Sequence, residues 1–570
     1  MSAENHVFWR LICSAWILNF SYLTMAQGVL LSADSGLIPL GGKNHIEIDV
    51  ICNNIEIKNF AEAKIAWHVS ETTAYLQSRS TLSLSIITPH SAAVTLKNPA
   101  DIVIYLGVEP LAPTKCKALV YQPEDTHEAL GKTIDAIFGV LSFSDTLERH
   151  IGPFEMGSGI QTPGGWRLLD LTDTGLYQSL SDTLDQIVQS GLDSLAYPGA
   201  QLLVCHKNSV IHHRSYGFHT YEKIRSVESS HLYDLASLTK VVAGVPALMF
   251  LVDKGLISLD DNFCSLWPFL CKGNKSDLIL RSALSHQAGL IPYIVFWHDL
   301  VRKNGNLKRG KIRDRQGRRH TVDINDSLFL HNRYYRKMYK QVRKSELLDS
   351  IEYLYSGLTF LLYPELVARK CRMRIDSFLY QQFYHPLGAS NIMFRPHERV
   401  PLESIVPTEY DFLFRRQLVH GRVHDEASAM LGGLSTNAGL FSNALDLAKL
   451  AQMFLNRGAY AGRQFVSESI VEEFTMRHFD HQGNRRGLGF DKPLIEWNES
   501  GSYAAKSASQ DSYGHSGFTG TFFWIDPQTE IIVIFLSNRV YPTRDNRKLY
   551  SLGIRPRLHQ AVYDWLSNNN

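Results

Sequence analysis

The sequence predicts a mixed architecture: a small α/β sandwich domain, then a larger α+β domain whose antiparallel sheet is flanked by helices and carries a helical subdomain. Three observations predict it. Residues 28–163 interleave short apolar runs with a helical pattern. Two hairpin patterns lie far apart in the chain, one around residue 208 and one around residue 527. The long stretch between them is mostly helical in its periodicity.

With 570 residues, 44% hydrophobic and 20% charged, the chain has the composition of a globular protein with room for several domains. A net charge of +2 excludes a global field that would select nucleic acid or an acidic surface. At the N-terminus, Arg10 precedes the mostly apolar residues 11–23 and then Thr24-Met25-Ala26-Gln27. This reads as an export signal cleaved after Ala26, interrupted by Glu4 and Asn19, and it predicts a periplasmic or secreted protein. A signal anchor is the alternative, and no later stretch holds the roughly 18 consecutive apolar residues of a spanning helix. Of seven cysteines, Cys13 lies in the signal and none forms a CxxC pair. Cys264 and Cys271 are spaced either for a bridge in an oxidising compartment or as free thiols.

In order, residues 28–40, 46–51, 65–69, 102–106 and 118–121 read as strands and 129–138 as a helix. Leu176, Leu180, Leu184, Ile187 and Val188 form one apolar helical stripe, stopped at Tyr197-Pro198-Gly199. Residues 200–205 and 210–216 then flank Lys207-Asn208-Ser209 as a hairpin. His212 and His213 lie on its second strand, without a third metal ligand at suitable spacing. A helix beginning near Ser237 runs to a glycine C-cap at Lys254-Gly255, with Pro246 expected to kink it or remove a backbone hydrogen bond. Residues 284–290 end a helix in a turn. Residues 301–345 hold 15 Lys or Arg against 3 Asp. They fit either a lip for an anionic polymer or nucleic acid, or a solvated insertion beside the site, and export argues against nucleic acid. Helices follow at 444–455, 467–474 and 555–566. Residues 513–525 and 530–536 read as strands about the turn Asp526-Pro527-Gln528. Such a plan leaves a cleft between sheet and helices.

The stretch Tyr233-Asp234-Leu235-Ala236-Ser237-Leu238-Thr239-Lys240 runs into an apolar segment. On a helix, the three-residue spacing puts the Ser237 hydroxyl and the Lys240 ammonium on one face. A helix-capping serine with a solvated lysine would give the same spacing. Nucleophilic serine catalysis also needs a proton donor for the leaving group and donors for the oxyanion. Tyr355, in Tyr353-Leu354-Tyr355-Ser356-Gly357, offers a phenol. Tyr513-Gly514-His515-Ser516-Gly517-Phe518-Thr519-Gly520 offers an imidazole and a hydroxyl on an edge strand that glycine opens to a bound chain. Taken singly, Tyr355 and His515 would read as a core tyrosine and a strand histidine.

Taken together and in order, Ser237-x-x-Lys240, Tyr355-Ser356 and His515-Ser516-Gly517 resemble the three motifs of the serine β-lactamase and penicillin-binding-protein superfamily, in its class-C-like, esterase and D,D-peptidase branch. The resemblance runs from about residue 176 to 570 and includes the stretches 284–290, 423–427, 430–433 and 438–442. It implies Ser237 as nucleophile, with Lys240 and Tyr355 sharing its proton and the backbone N–H groups of Ser237 and Phe518 forming the oxyanion hole. Ser516 and Gly517 would align the acyl chain. His515 would hold a substrate carboxylate while charged, so that binding weakens above a pKa of about 6.5. Neither a metal nor an organic cofactor is implied. Gly357 departs from the family pattern, which commonly has Asn or Asp there, and Asn437 stands where a histidine is common. The first departure implies a lost substrate-amide or lysine-positioning contact.

Residues 28–40, Ala136-Ile137-Phe138-Gly139 and 154–160 are similar to the C-terminal α/β domain of family-3 glycoside hydrolases. That family's catalytic aspartate lies in a preceding barrel, so the resemblance implies a relic or docking domain without glycosidase chemistry. The expected plan is a signal at 1–26, the glycosidase-like domain at 28–163 and the hydrolase domain at 170–570. The implied function is an exported serine hydrolase acting through an acyl-enzyme on D-Ala-type peptides or related small esters or amides of the cell wall. The alternatives are an esterase without peptidase activity and a non-catalytic peptidoglycan-binding protein. The implied partner is a small-molecule or peptidoglycan-derived substrate, with no nucleic acid and no stable membrane span once the signal is cleaved.

Overall fold

The computed structural model describes residues 29–33, 46–52, 55–70, 80–88, 102–110, 116, 118–138, 146–151, 153–160, 168–349, 352–498 and 502–569. The expected export signal and Gly139 of the glycosidase-like motif lie outside the described residues. The chain divides into two compact units between Arg167 and Leu168.

The first unit runs β1 (Val29–Ala33), β2 (Ile46–Ile51), α1 (Ile55–Ser70), β3 (Ser80–Ile87), β4 (Ile102–Leu106), β5 (Ala118–Gln122) and α2 (His127–Ile137). Its five-stranded sheet has the order β1-β5-β4-β3-β2. Strands β2 to β5 are parallel, and β1 pairs antiparallel with β5 at one edge. Ile57, Ala61 and Ile65 of α1 and Leu130 and Ile134 of α2 cover one face. On the other face Val103, Leu119 and Tyr121 pack with Leu147 and Ile151. Burial on both faces is why β4 and β5 read as unbroken apolar runs. Residues 65–69, expected as a strand, are instead the end of α1. The strand at that point is β3, whose serines alternate with apolar residues and hide the pattern.

The second unit holds the main sheet. Its elements here are β6 (Leu169–Asp170), α3 (Gln178–Asp193), β7 (Gly199–His206), β8 (Ser209–Gly217), β9 (Tyr233–Asp234), α4 (Val245–Asp253), β10 (Ile312–Arg313), β11 (His320–Asn325) and β12 (Leu328–His331). There follow α5 (Tyr335–Lys344), β13 (Met393–Phe394), β14 (Leu440–Ser442), α6 (Ala444–Leu455), β15 (Tyr513–Ser516), β16 (Phe522–Asp526), β17 (Ile531–Ser537) and α7 (Ile554–Asn569). Six strands run β15-β16-β17-β7-β8-β6. The pairing of β17 with β7, from Ile531 opposite His206 to Ser537 opposite Ala200, joins the two distant hairpins into one antiparallel sheet.

Successive residues of β7 face opposite ways. Leu203 and Cys205 pack with the core that contains α4 and α6, whereas Leu202 and Val204 pack with α3 and α7. The β7–β8 turn places Lys207 at φ 48° and Asn208 at φ 62°, the left-handed pair that matches the twist of a two-residue hairpin. Residues 513–525, expected as one strand, are two. A turn at residues 517–521 closes on a Gly517 N–H to Thr521 carbonyl bond of 2.8 Å. Gly520 there takes φ 116°, which only glycine adopts readily.

Pro246 does not end the helix that follows Ser237. The Val245 N–H donates to the Lys240 carbonyl, a wider turn than the α-helical one. The missing proline N–H leaves the Val242 carbonyl to the Tyr384 hydroxyl, at 3.0 Å. Gly255 caps the helix at φ 63°, as expected. Cys264 and Cys271 are disulfide-bonded. The His212 ring is engaged on both nitrogens, by Ser181 at 3.0 Å and Tyr216 at 2.8 Å. Among the described residues, no helix is long and apolar enough to cross a membrane.

Candidate active site

Ser237 stands at the end of a turn fixed by Asp234. The Asp234 carboxylate accepts the Ala236 N–H at 2.8 Å and the His424 N–H at 2.6 Å. Burial pushes the Asp234 carboxyl above its ordinary range, against the pull of those two donors. Ala236 is held at φ 45°, a strained conformation for alanine, so the chain turns sharply into Ser237. On one side β9 pairs with β14, and the Leu235 N–H donates to Leu440 at 3.0 Å.

The structure brings Ser237, Lys240 and Tyr355 into contact. Lys240 Nζ donates to Ser237 Oγ at 3.0 Å and to the Asn437 carbonyl at 2.9 Å. Tyr355 OH donates to Ser237 Oγ at 3.3 Å. The amine is buried between the rings of Tyr355 and Phe360, 5.4 and 5.5 Å from their centres. Tyr355 is positioned by the stretch 284–290: His286, at φ 56°, accepts the Ser356 N–H on Nδ1 at 3.2 Å. Ser356 Oγ in turn donates to the Ile291 carbonyl at 2.7 Å.

His515 lies across the site, its ring centre 5.9 Å from that of Tyr355. The turn after it is stitched to the chain just before Ser237. Thr519 Oγ1 donates to the Asp234 carbonyl at 2.7 Å and Thr521 Oγ1 to the Leu235 carbonyl at 3.1 Å. A Cβ on Gly517 would sit 2.0 Å from Thr521 Oγ1 and 2.6 Å from the Leu235 oxygen, so only glycine permits this approach. Among the described residues, the backbone N–H groups of Ser237 and Phe518 meet no protein acceptor. The Phe518 ring is held between the stacked His424 ring and the Arg539 guanidinium, 4.5 Å from its centre. A hydroxyl with an amine and a phenol on its oxygen, beside two free backbone donors, can support attack on an acyl carbon.

Two expectations are corrected. His515 is buried and its pKa is pushed down to about 3, first by desolvation and then by the nearby Arg486 and Lys240 charges. Its Nδ1–H donates to the Ser516 carbonyl at 2.7 Å, leaving Nε2 as an unpartnered acceptor. In the free protein the ring is thus held neutral, against the charged carboxylate anchor that the sequence suggested. Affinity for carboxylate substrates is therefore expected to stay flat from about pH 5 to 8 as far as this ring is concerned. Between its unfolded pKa of 6.5 and about 3, the unfolded chain binds a proton that the folded ring refuses. Stability should then fall as pH drops, by about 1.4 kcal/mol per pH unit, and thermal melts of wild type against His515→Asn check it.

The second correction concerns Gly357. A Cβ there would lie 2.3 Å from Asn437 Oδ1, so the Asn437 amide occupies the space beside Gly357. The carbonyl of the same residue anchors Lys240. Asn437 thus brings a side-chain amide beside Gly357 and a backbone carbonyl to Lys240.

Sequence reasoning did not single out Asp234, Arg486 or Asp491. Arg486 lies 5.7 Å from the Tyr355 ring centre and 3.3 Å from the buried Asp491 carboxylate. Burial raises the Asp491 pKa, but Arg486 and Arg485 outweigh it and hold the carboxyl below its usual range. The carboxylates of Glu409, Asp411 and Glu426 also cluster. Arg544 and Arg415 fill that cluster, Arg544 Nε donating to Glu409 at 2.9 Å and Arg415 Nε to Asp411 at 2.8 Å.

A protein of Escherichia coli (strain K12) named "Putative D-alanyl-D-alanine carboxypeptidase" is 26% identical over 414 residues, covering 67% of this chain and 88% of its own. One of the same name from Salmonella typhimurium is 28% identical over 418 residues, with the same coverage. A solved penicillin-binding protein homolog from Caulobacter crescentus aligns at 16% identity and a TM-score of 0.49, over 68% of this chain and 97% of that one. The family model described as Beta-lactamase matches residues 184–553, well over half of the 570-residue chain and the whole span from Ser237 to Phe518. On that match, and with the sheet and flanking helices in place around the serine, the chain belongs to the Beta-lactamase family of serine hydrolase folds.

Proposed function

We propose that the protein is an exported serine hydrolase that forms an acyl-enzyme at Ser237 and acts on D-Ala-type peptides or related small esters and amides of the cell wall. The observation that carries the reading is the double contact on Ser237 Oγ, from Lys240 at 3.0 Å and Tyr355 at 3.3 Å. As Oγ bonds the acyl carbon, its proton passes to the Lys240–Tyr355 pair. The N–H groups of Ser237 and Phe518 hold the oxyanion. Collapse breaks the bond to the leaving amine or alcohol, which takes the proton back from Tyr355, and water then releases the acyl group by the reverse path. Ser516 and Gly517 align the acyl chain at the end of β15.

The carboxypeptidase names of the two relatives support the substrate class. The Cys264–Cys271 disulfide supports an oxidising, periplasmic or secreted location. For the first unit we keep the reading of a relic or docking domain without glycosidase chemistry.

Intact-mass spectrometry after exposure to a D-Ala-D-Ala peptide, a nitrophenyl ester and a penicillin tests the proposal, because it reports both the residue attacked and the group retained. A retained acyl group on wild type and none on Ser237→Ala is the expected result; no adduct and no turnover with any of the three sinks it. The pairing of Gly357 with Asn437 gives a finer test. Gly357→Asn alone should clash, and Asn437→Ala alone should lose the amide contact, each lowering kcat/KM on the peptide by about 10- to 100-fold. The double variant Gly357→Asn/Asn437→Ala should recover much of the loss.

A further inference from the structure

The 15 Lys and Arg of residues 301–345 play no part in the chemistry at Ser237. The structure places them on and around β10 to β12 and α5, and all but Arg343 are exposed. Among the described residues, Lys337 alone of these has a carboxylate within ion-pair distance, Asp299 at 2.6 Å. Asp314 is the one carboxylate lining the groove they share and Asp299 also feels Lys308, so the cations outnumber their counter-charges and the resulting positive field reaches into solvent.

Arg302, Arg309, Arg313 and Arg315 share one groove, of about 1380 Å³, with Arg416 from a distant segment. The Arg416 guanidinium donates to the Gly305 carbonyl at 2.7 Å and so fixes the two segments side by side. The turn that leads into Arg416 is rigid. Asp411 accepts the N–H groups of Leu413, Phe414 and Arg415 at 3.0, 2.9 and 3.1 Å, and Phe414 is buried against Trp297. That same turn holds Phe412 and Leu413 out in water, 70% and 57% exposed, with Tyr410 against Phe412.

We propose that this face docks the protein on an anionic lipid bilayer. Apolar tips beside unpaired cations suit that surface, since the tips enter the acyl boundary while the arginines meet headgroup phosphates. A soluble polyanion would engage the arginines and leave Phe412 and Leu413 without a role. The docking is peripheral, requires no spanning helix, and is independent of the chemistry at Ser237.

The test is co-sedimentation of the full chain with phosphatidylcholine vesicles, with and without phosphatidylglycerol. Binding should require phosphatidylglycerol and weaken as salt is raised. Phe412→Ser/Leu413→Ser should lower vesicle affinity by about tenfold or more while leaving binding to soluble polyphosphate unchanged. Arg309→Glu/Arg313→Glu/Arg315→Glu should weaken both by at least about tenfold. Melting temperature and turnover of a soluble nitrophenyl ester should match wild type in all variants, which separates loss of docking from loss of fold. No vesicle binding, or equal binding to neutral vesicles, overturns the proposal. Unchanged vesicle affinity in the Phe412→Ser/Leu413→Ser variant also overturns it, and competition by polyphosphate or duplex DNA would then assign the groove to a soluble polyanion.

Discussion

Ser237→Ala is expected to lower kcat on any accepted ester or peptide by on the order of 10⁴-fold or more, because no other group can form the acyl bond. Lys240, Tyr355 and the two backbone donors stay in place in this variant, so the residual rate measures what electrostatic stabilisation and binding achieve without a nucleophile. Removing one hydroxyl disturbs little packing, and substrate affinity should change by less than about tenfold. Steady-state kinetics with a titrated substrate separates kcat from KM. A variant that keeps a tenth of the wild-type kcat would show that the chemistry lies elsewhere.

Lys240→Met is the second large effect. Methionine fills most of the volume between the Tyr355 and Phe360 rings but has no proton to exchange, so Ser237 Oγ would keep only the Tyr355 contact at 3.3 Å. Loss of the shared base is expected to lower kcat by about 10²- to 10⁴-fold, the range of general acid–base catalysis. The fold should persist, because a buried amine contributes little net stability once its desolvation is counted. Melting temperatures of the two proteins within a few degrees, beside the rate loss, would separate chemistry from folding. Acylation by the penicillin should slow in the same proportion, since it uses the same proton path.

The chemical groups were largely legible in the sequence. Ser237 and Lys240 are three residues apart, and helical geometry alone places them on one face. Tyr355 and His515 were legible only as members of an ordered set, since neither spacing nor composition ties residue 355 to residue 237. The strand β3 was hidden by its serines. The turn at residues 517–521 was hidden because the strand before it is only four residues long and runs into the apolar Phe522–Asp526 strand without a proline or Asn-Gly signal.

Other features depend on contacts between residues far apart in the chain. The charge state of His515 follows from burial next to Arg486 and Lys240, and a local motif carries no measure of desolvation. The complementarity of Asn437 and Gly357 is a matter of volume between two loops 80 residues apart, so in sequence the pair looks like two separate losses. The rigid turn that exposes Phe412 and Leu413 likewise depends on Asp411 folding back on its own backbone and on Trp297 covering Phe414.

The sequence by itself determined which reactive groups the protein owns, the order of its motifs and the two hairpins of the main sheet, because these rest on local periodicity and fixed spacing. Only the tertiary structure decided which groups touch, which are charged and which neighbour fills a missing side chain's place. Those properties arise from desolvation and packing, and both depend on residues that meet only after the chain has folded.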